Sequence, residues 1–174
     1  MLLHCNSAGW ERDMKTIGFS DHDHAACMAE RIAVAEAYCA ERRLHFTPVR
    51  RRVLEILLEE HKALGAYQIL DQLKQEGWGS QPPIAYRALD FLVTHGFVHK
   101  VERLNAYVAC LHPGRSHFPA FMICRICDSV AEATSAPSKG RLGAAARDAG
   151  FRIEQTVVEA IGLCPACVGT EAAQ

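Results

Sequence analysis

From about residue 26 the apolar positions of this chain recur at helical spacing. Met28, Ile32, Ala35 and Cys39 follow one another at intervals of four, three and four residues, which is one face of a helix. Cys39, and Cys27 beside it in pattern, therefore read as small core residues rather than ligands. In TPVRRRVLEILLEE, Thr47 suits an N-cap and Pro48 the first helical position. Val49, Val53, Ile56 and Leu57 form the predicted buried stripe there, with Arg50, Arg51 and Arg52 mostly outside. A third helix is predicted from Gly65, with Ala66, Ile69, Leu70 and Leu73 inward, ending at the GWG of 77–79. A fourth begins at PPIAYRALDFLVTHG, since prolines are tolerated where the first N–H groups have no intrahelical partner. Ala85, Ala88, Leu89, Leu92 and Val93 face inward on it, Tyr86, Arg87, Asp90 and Thr94 face outward, and Gly96 ends it.

Past Gly96 the period changes to two. FVHKV and AYVAC read as the strands of a hairpin turning at 103–106. Short helices followed by a hairpin describe a winged helix-turn-helix. After HPGRS (112–116) the pattern predicts a strand over 117–123, a knuckle, a short strand over 129–133, a helix near 138–149 and a strand over 151–163 that leads into CPAC. The fold class is thus α+β: a flexible leader (1–25), a winged-helix domain (26–111), a hinge (112–116) and a small α/β domain (117–174). The leader shows no apolar period. Its DHDH (21–24) has metal-binding residue types but reads first as part of an acidic segment.

A chain of 174 residues divided this way has thin cores, and bound metal is a common remedy in small domains. The formal net charge of −1 argues against a general polyanion binder, although residues 40–103 carry 10 Lys+Arg against 8 Asp+Glu and permit local phosphate contact. No apolar run approaches the ~20 residues of a membrane span, and MLLHCNSAGWERDMK is unlike a secretory signal. A cytoplasmic setting is the expectation. Eight cysteines there suggest metal ligands, redox centres or core residues before disulfides.

Cys124-x-x-Cys127 and Cys164-x-x-Cys167 are two knuckles separated by 36 residues. Four thiolates delivered as two such pairs match a closed tetrahedral zinc site. The rival is a redox pair, which belongs where a strand feeds a helix, whereas CPAC lies near the end of the sequence. Zinc-deaminase chemistry is excluded because no His-x-Glu occurs. A hairpin turn centred between Leu104 and Asn105 sets His99 opposite Cys110, which is half of a second site. Folding 117–133 about the knuckle sets Pro119 opposite Glu132 and makes His117 its diagonal neighbour. Each of these four alone reads first as an ordinary surface polar residue, and only the pairing makes a joint site an equal reading. Together they form a ligand set drawn from both halves.

The runs HFTPVRRRVLEIL, PPIAYRALDFL, GFVHKVERLNAYVAC, FMICRIC and GLCPAC resemble the ferric uptake regulator family over roughly residues 27–168, and most closely its zinc-sensing branch. The resemblance implies a homodimeric repressor that binds double-stranded operator DNA, with a C-terminal dimerisation domain and no enzymatic activity. It implies two Zn2+ per chain: a structural one on Cys124, Cys127, Cys164 and Cys167, and a regulatory one on His99, Cys110, His117 and Glu132. Tyr86 and Arg87 match the family's base-reading positions, and Asp71 and Lys74 match positions where a second dimer docks on the same operator. Ile84-Ala85 departs from the Thr-Val usual there and removes a hydroxyl from that helix. His61 and His112 are further candidate ligands. The alternatives are a sibling sensor of iron, manganese or peroxide, and a thiol oxidoreductase acting through its Cys-x-x-Cys pairs.

Overall fold

The computed structural model describes residues 24–59, 62–113, 117–136, 140–154 and 156–171. Leader residues 1–23, His61 and hinge residues 114–116 lie outside this set, as do the side chains of His24 and Cys27, while residues 24 and 25 open α1 rather than belonging to a flexible leader. Helix α1 (His24–Glu41) is followed by α2 (Pro48–Glu59), α3 (Ala66–Gln75) and α4 (Pro82–Thr94). Thr47 caps α2 as expected, its hydroxyl accepting from Arg50 N–H at 3.4 Å. At α3 the Gln68 side chain reaches back to Gly65 N–H (2.8 Å), satisfying a donor that the helix start leaves without a partner.

The helical faces predicted from periodicity form one core. Ile32, Ala35 and Cys39 of α1 pack with Val53, Ile56 and Leu57 of α2, and with Ile69, Leu73, Ala88, Leu89 and Leu92 of α3 and α4. Val93 is the exception. It is 38% exposed, because the stripe that fits the core ends at Leu92 and Phe97 takes the next inward place. Arg52 is also less free than expected. Its guanidinium joins Glu55 and Glu59 of α2 to Glu76 beyond α3, with both Glu76 contacts at 2.7 Å.

The wing consists of β2 (Val98–Val101) and β3 (Ala106–Ala109), joined by a two-residue strand β1 (Leu64–Gly65) in the order β1-β3-β2. β1, at two residues, is too short to leave a period in the sequence. The hairpin register differs by two residues from the expected one: His99 lies opposite Val108, not Cys110. Asn105, at φ 45°, falls late in a turn spanning 102–105, so the turn centre moves toward Arg103. A two-residue slip preserves side-chain parity, and His99 and Cys110 remain on one face.

The second sheet runs β5-β4-β6, with β4 (Phe118–Cys124) antiparallel to β5 (Val130–Ser135) and parallel to β6 (Val158–Gly162). Here too the register shifts by two, and Glu132 faces Phe121 rather than Pro119. The knuckle turn takes in Asp128 at φ 56°, and Cys124 N–H bonds Ser129 O beyond it. The long strand expected over 151–163 shrinks to five residues, since only 158–162 pair with β4, and Phe151 stays 69% exposed. Helices α5 (Arg141–Asp148) and α6 (Pro165–Glu171) complete this half.

The two halves share apolar packing. Val101 and Val108 of the wing form a cluster with Phe121, Ile123 and Val130 of the second sheet. A single bridge from Lys62 to Ser129 lies beside it.

Candidate metal centres and nucleic-acid interface

The two knuckles meet at one end of the second sheet. Cys124 closes β4, Cys127 lies in the turn after it, and Cys164 and Cys167 flank the start of α6. Their four sulfurs lie within 4.8 Å of one another, and no disulfide joins them. Cys127 Sγ and Cys164 Sγ are 3.7 Å apart. Four sulfurs at ~2.3 Å from a tetrahedral zinc stand ~3.8 Å from each other, so the spacing suits that ion. Backbone bonds hold both knuckles. Arg125 N–H donates to Gly162 O (2.9 Å), and Cys164 O accepts from Cys167 N–H (2.9 Å) and Val168 N–H (3.0 Å).

Protonation among these thiols is in conflict. Backbone N–H groups of Cys164 and Cys127 hold the Cys124 thiol down to about 6. The Ser129 hydroxyl lowers Cys127, while contact with Cys164, then burial, pushes Cys167 up to about 12. Four thiolates cannot coexist here without a cation, and a divalent ion removes the conflict. CPAC does end a strand and feed a helix, from β6 into α6, which is the placement expected of a redox pair. Position thus does not separate the two readings. The company does, because each cysteine of CPAC lies among three thiols rather than one.

The second group forms where the wing meets the second sheet. Ligand atoms of His99, Cys110, His117 and Glu132 all fall within 4.8 Å. β2 carries His99, Cys110 follows β3, His117 precedes β4 and Glu132 lies on β5. Cys110 Sγ is 3.7 Å from His117 Nε2, close to the ~3.6 Å that ~2.3 Å and ~2.0 Å bonds to one zinc require. His117 Nε2 bonds Glu132 Oε1 at 2.7 Å, a contact that must open to ~3.3 Å around an ion. His99 Nε2 lies 3.5 Å from the same oxygen but is buried without a hydrogen-bond partner. A buried ring nitrogen aimed into a group of donors is what a metal ligand looks like without its ion.

Outer contacts orient this group. Leu111 N–H donates to Glu132 Oε2 (2.8 Å), His112 N–H to Cys110 Sγ (3.3 Å), and the buried Arg31 guanidinium to Cys110 O (2.7 Å). Such partners set ligand direction and basicity. Burial, then the Glu132 charge, pushes the Cys110 thiol up to about 12. Burial raises the Glu132 carboxyl, yet the His99 ring, Leu111 N–H and His117 together leave it below its ordinary range. Of the extra candidates, His112 contributes its N–H and stacks edge-on to His117 at 5.9 Å, but its ring is outside the four-ligand group.

Tyr86 and Arg87 are exposed in the first turns of α4. Ile84, where the family pattern has threonine, turns inward and packs toward the core and over Gly79. Asp71 and Lys74 are exposed on α3. Tyr67, which sequence periodicity did not single out, is 67% exposed on the same helix, four residues before Asp71. Its only sequence signal was an aromatic residue at an outward position.

No family model matches the chain. Known proteins do. A zinc uptake regulation protein of Escherichia coli K12 is 42% identical over 144 residues, spanning 82% of this chain and 84% of that protein. The chain belongs to the zinc uptake regulator family. A zinc uptake regulator solved with zinc and DNA superposes with a TM-score of 0.78 at 40% identity, covering 83% of this chain and 97% of that one. Holo XcZur, also a family member by its name, superposes at 0.71 with 38% identity, over 80% and 98% of the two chains. The ferric uptake regulator of Helicobacter pylori, at 15% identity and a TM-score of 0.52, shares the fold alone. These family members are regulators and not enzymes, and the α+β arrangement of helices and two small sheets is theirs. Among the described residues, no helix is long and apolar enough to cross a membrane.

Proposed function

We propose that this chain is a zinc-responsive repressor that binds palindromic operator DNA as a homodimer, with zinc as co-repressor, and controls zinc uptake genes in the cytoplasm. The observation that carries this is the position of the second donor group. His99 and Cys110 belong to the wing, and His117 and Glu132 to the following half, so one ion there ties the winged helix (26–111) to the domain over 117–174. Tying them sets the separation of two recognition helices in a dimer, which must match operator half-sites. The thiol of Cys110 favours zinc over iron or manganese, which do better with oxygen and nitrogen ligands. The four-cysteine group holds a second, structural zinc, giving two per chain.

The dimer face is the side of α5 and β6. Leu142 of α5, Phe151, and Val158 of β6 are exposed, and among the described residues β6 is an edge strand of its sheet and can pair with its copy. On DNA, Arg87 reads a guanine and Tyr86 packs on base edges in the major groove. Asp71 and Lys74 bridge to a second dimer on the same operator, an individually weak contact. Arg87→Ala is expected to lower operator affinity by about 1–3 kcal/mol, roughly 5- to 150-fold, and to relax preference at one base pair. Zinc content should not change, and titration of operator variants by fluorescence anisotropy measures both effects.

Native mass spectrometry before and after a mild chelator, with operator binding assayed on each sample, tests the whole reading. The expected result is two zincs falling to one, with the dimer kept and DNA binding lost. One zinc throughout with unchanged DNA binding overturns the sensor.

A further inference from the structure

Glu132, Phe121 and Glu159 form one row across the second sheet. Phe121 is the register partner of Glu132 on β5 and of Glu159 on β6, so all three side chains leave the same face. That face meets the wing. At one end of the row Glu132 joins His99 and His117 in the second donor group. In the middle Phe121 packs on Val101 and Val108 and lies 5.6 Å from the His99 ring. At the other end the Glu159 carboxylate accepts two backbone N–H groups of the wing turn, Glu102 N–H on Oε1 at 2.7 Å and Arg103 N–H on Oε2 at 3.1 Å. A carboxylate that takes two consecutive backbone donors makes a charge-assisted, directional contact.

We infer that Glu159 is a positioning residue for the zinc response: its carboxylate is a second, metal-independent tie that holds the wing tip against the C-terminal sheet, so that His99 and Cys110 arrive preset for their ion. This rests on the repressor reading above. The donor group anchors the wing at His99 and Cys110, and the apolar packing of Val101 and Val108 on Phe121 is not directional, so neither fixes the turn itself. The turn lies three residues beyond His99, ~10 Å at strand rise, and a second tie there fixes it. The wing's donors would then be aligned before the ion binds, which lowers the ordering cost of binding. By linkage, whatever favours the tied arrangement must favour both hinge zinc and operator by related factors.

Glu159→Gln and Glu159→Ala test this. Gln keeps the size but offers one acceptor and places an amide against the second N–H, and Ala removes the tie. Glu102→Ala, at the exposed end of the Lys100–Glu102 pair, is the control, because it leaves the Glu102 N–H in place. Zinc per chain, dimer state, hinge zinc affinity by chelator competition, and operator affinity against free zinc are read on the full-length protein. Both Glu159 variants are expected to keep the four-cysteine zinc and the dimer, while hinge zinc affinity falls about tenfold, within the usual span of coupling between sites. Operator binding should then need correspondingly more zinc, and Glu102→Ala should match the parent.

A parent that binds operator without regard to zinc sinks the repressor reading. A zinc-responsive parent with Glu159 variants indistinguishable from it overturns the tie alone. Loss of both zincs or of the dimer in both variants also overturns it, because Glu159 is then needed for the fold rather than for the setting of the wing.

Discussion

Cys124→Ser is expected to empty the four-cysteine site and unfold the C-terminal half, which ends dimerisation and operator binding together. Cys124, Cys164 and Cys167 are buried with little apolar company beyond Leu163. What they hold together is the end of β4, the end of β6 and the start of α6. Zinc in sites of this kind contributes about 10–16 kcal/mol of apparent binding energy, which is folding energy where no preformed site exists without metal. Whole small domains are stable by only ~5–15 kcal/mol, so the loss is as large as the whole reserve. Serine also leaves an oxygen where the backbone N–H groups of Cys164 and Cys127 had stabilised a thiolate. Thermal melting by circular dichroism and light scattering after size exclusion should show a lost transition and a monomer or aggregate. A variant that keeps its zinc, its melting temperature and its dimer would falsify the structural assignment.

Cys110→Ser should separate sensing from folding. The chain is expected to keep one zinc and its dimer, and to lose the zinc-dependent part of operator binding, a drop of about a hundredfold or more if one ligand in four carries its share of a coupled equilibrium. The fold should hold because the Arg31 guanidinium bonds the Cys110 carbonyl, which serine keeps, and the core of the winged half is elsewhere. The same thiol dictates a pH effect. Its proton is held up to about 12, so at neutral pH it is present before the ion binds and leaves when the ion arrives. Apparent hinge zinc affinity should therefore rise with pH, about tenfold per unit for one released proton, until the thiol titrates by itself. Chelator-competition titrations from pH 6.5 to 8 check the slope (a range chosen at about the working limits of such assays). A flat profile would mean that Cys110 is not a ligand.

Much of this protein was written locally. Helix α4 begins at two prolines, buries Ala85, Ala88, Leu89 and Leu92, and exposes Tyr86 and Arg87, because 3.6-residue periodicity assigns faces from sequence alone. The Cys-x-x-Cys knuckles were legible for the same reason, since a four-residue turn brings both thiols to one point. Even the hinge group survived two wrong registers. His99 faces Val108 and Glu132 faces Phe121, each two residues from the expected partner, yet strand parity keeps the four donor side chains close together. Register itself was decided by turns that contain Asn105 and Asp128, whose positive φ angles no alternation of apolar residues encodes. The parallel pairing of β6 with β4, the two-residue β1 and the bonds from the wing turn to Glu159 joined residues far apart in the chain. From the sequence alone came the faces, the knuckles and the ligand types, all set by backbone geometry within a few residues. Only the tertiary structure decided which faces meet, because that depends on packing two half-built cores against each other across a hinge.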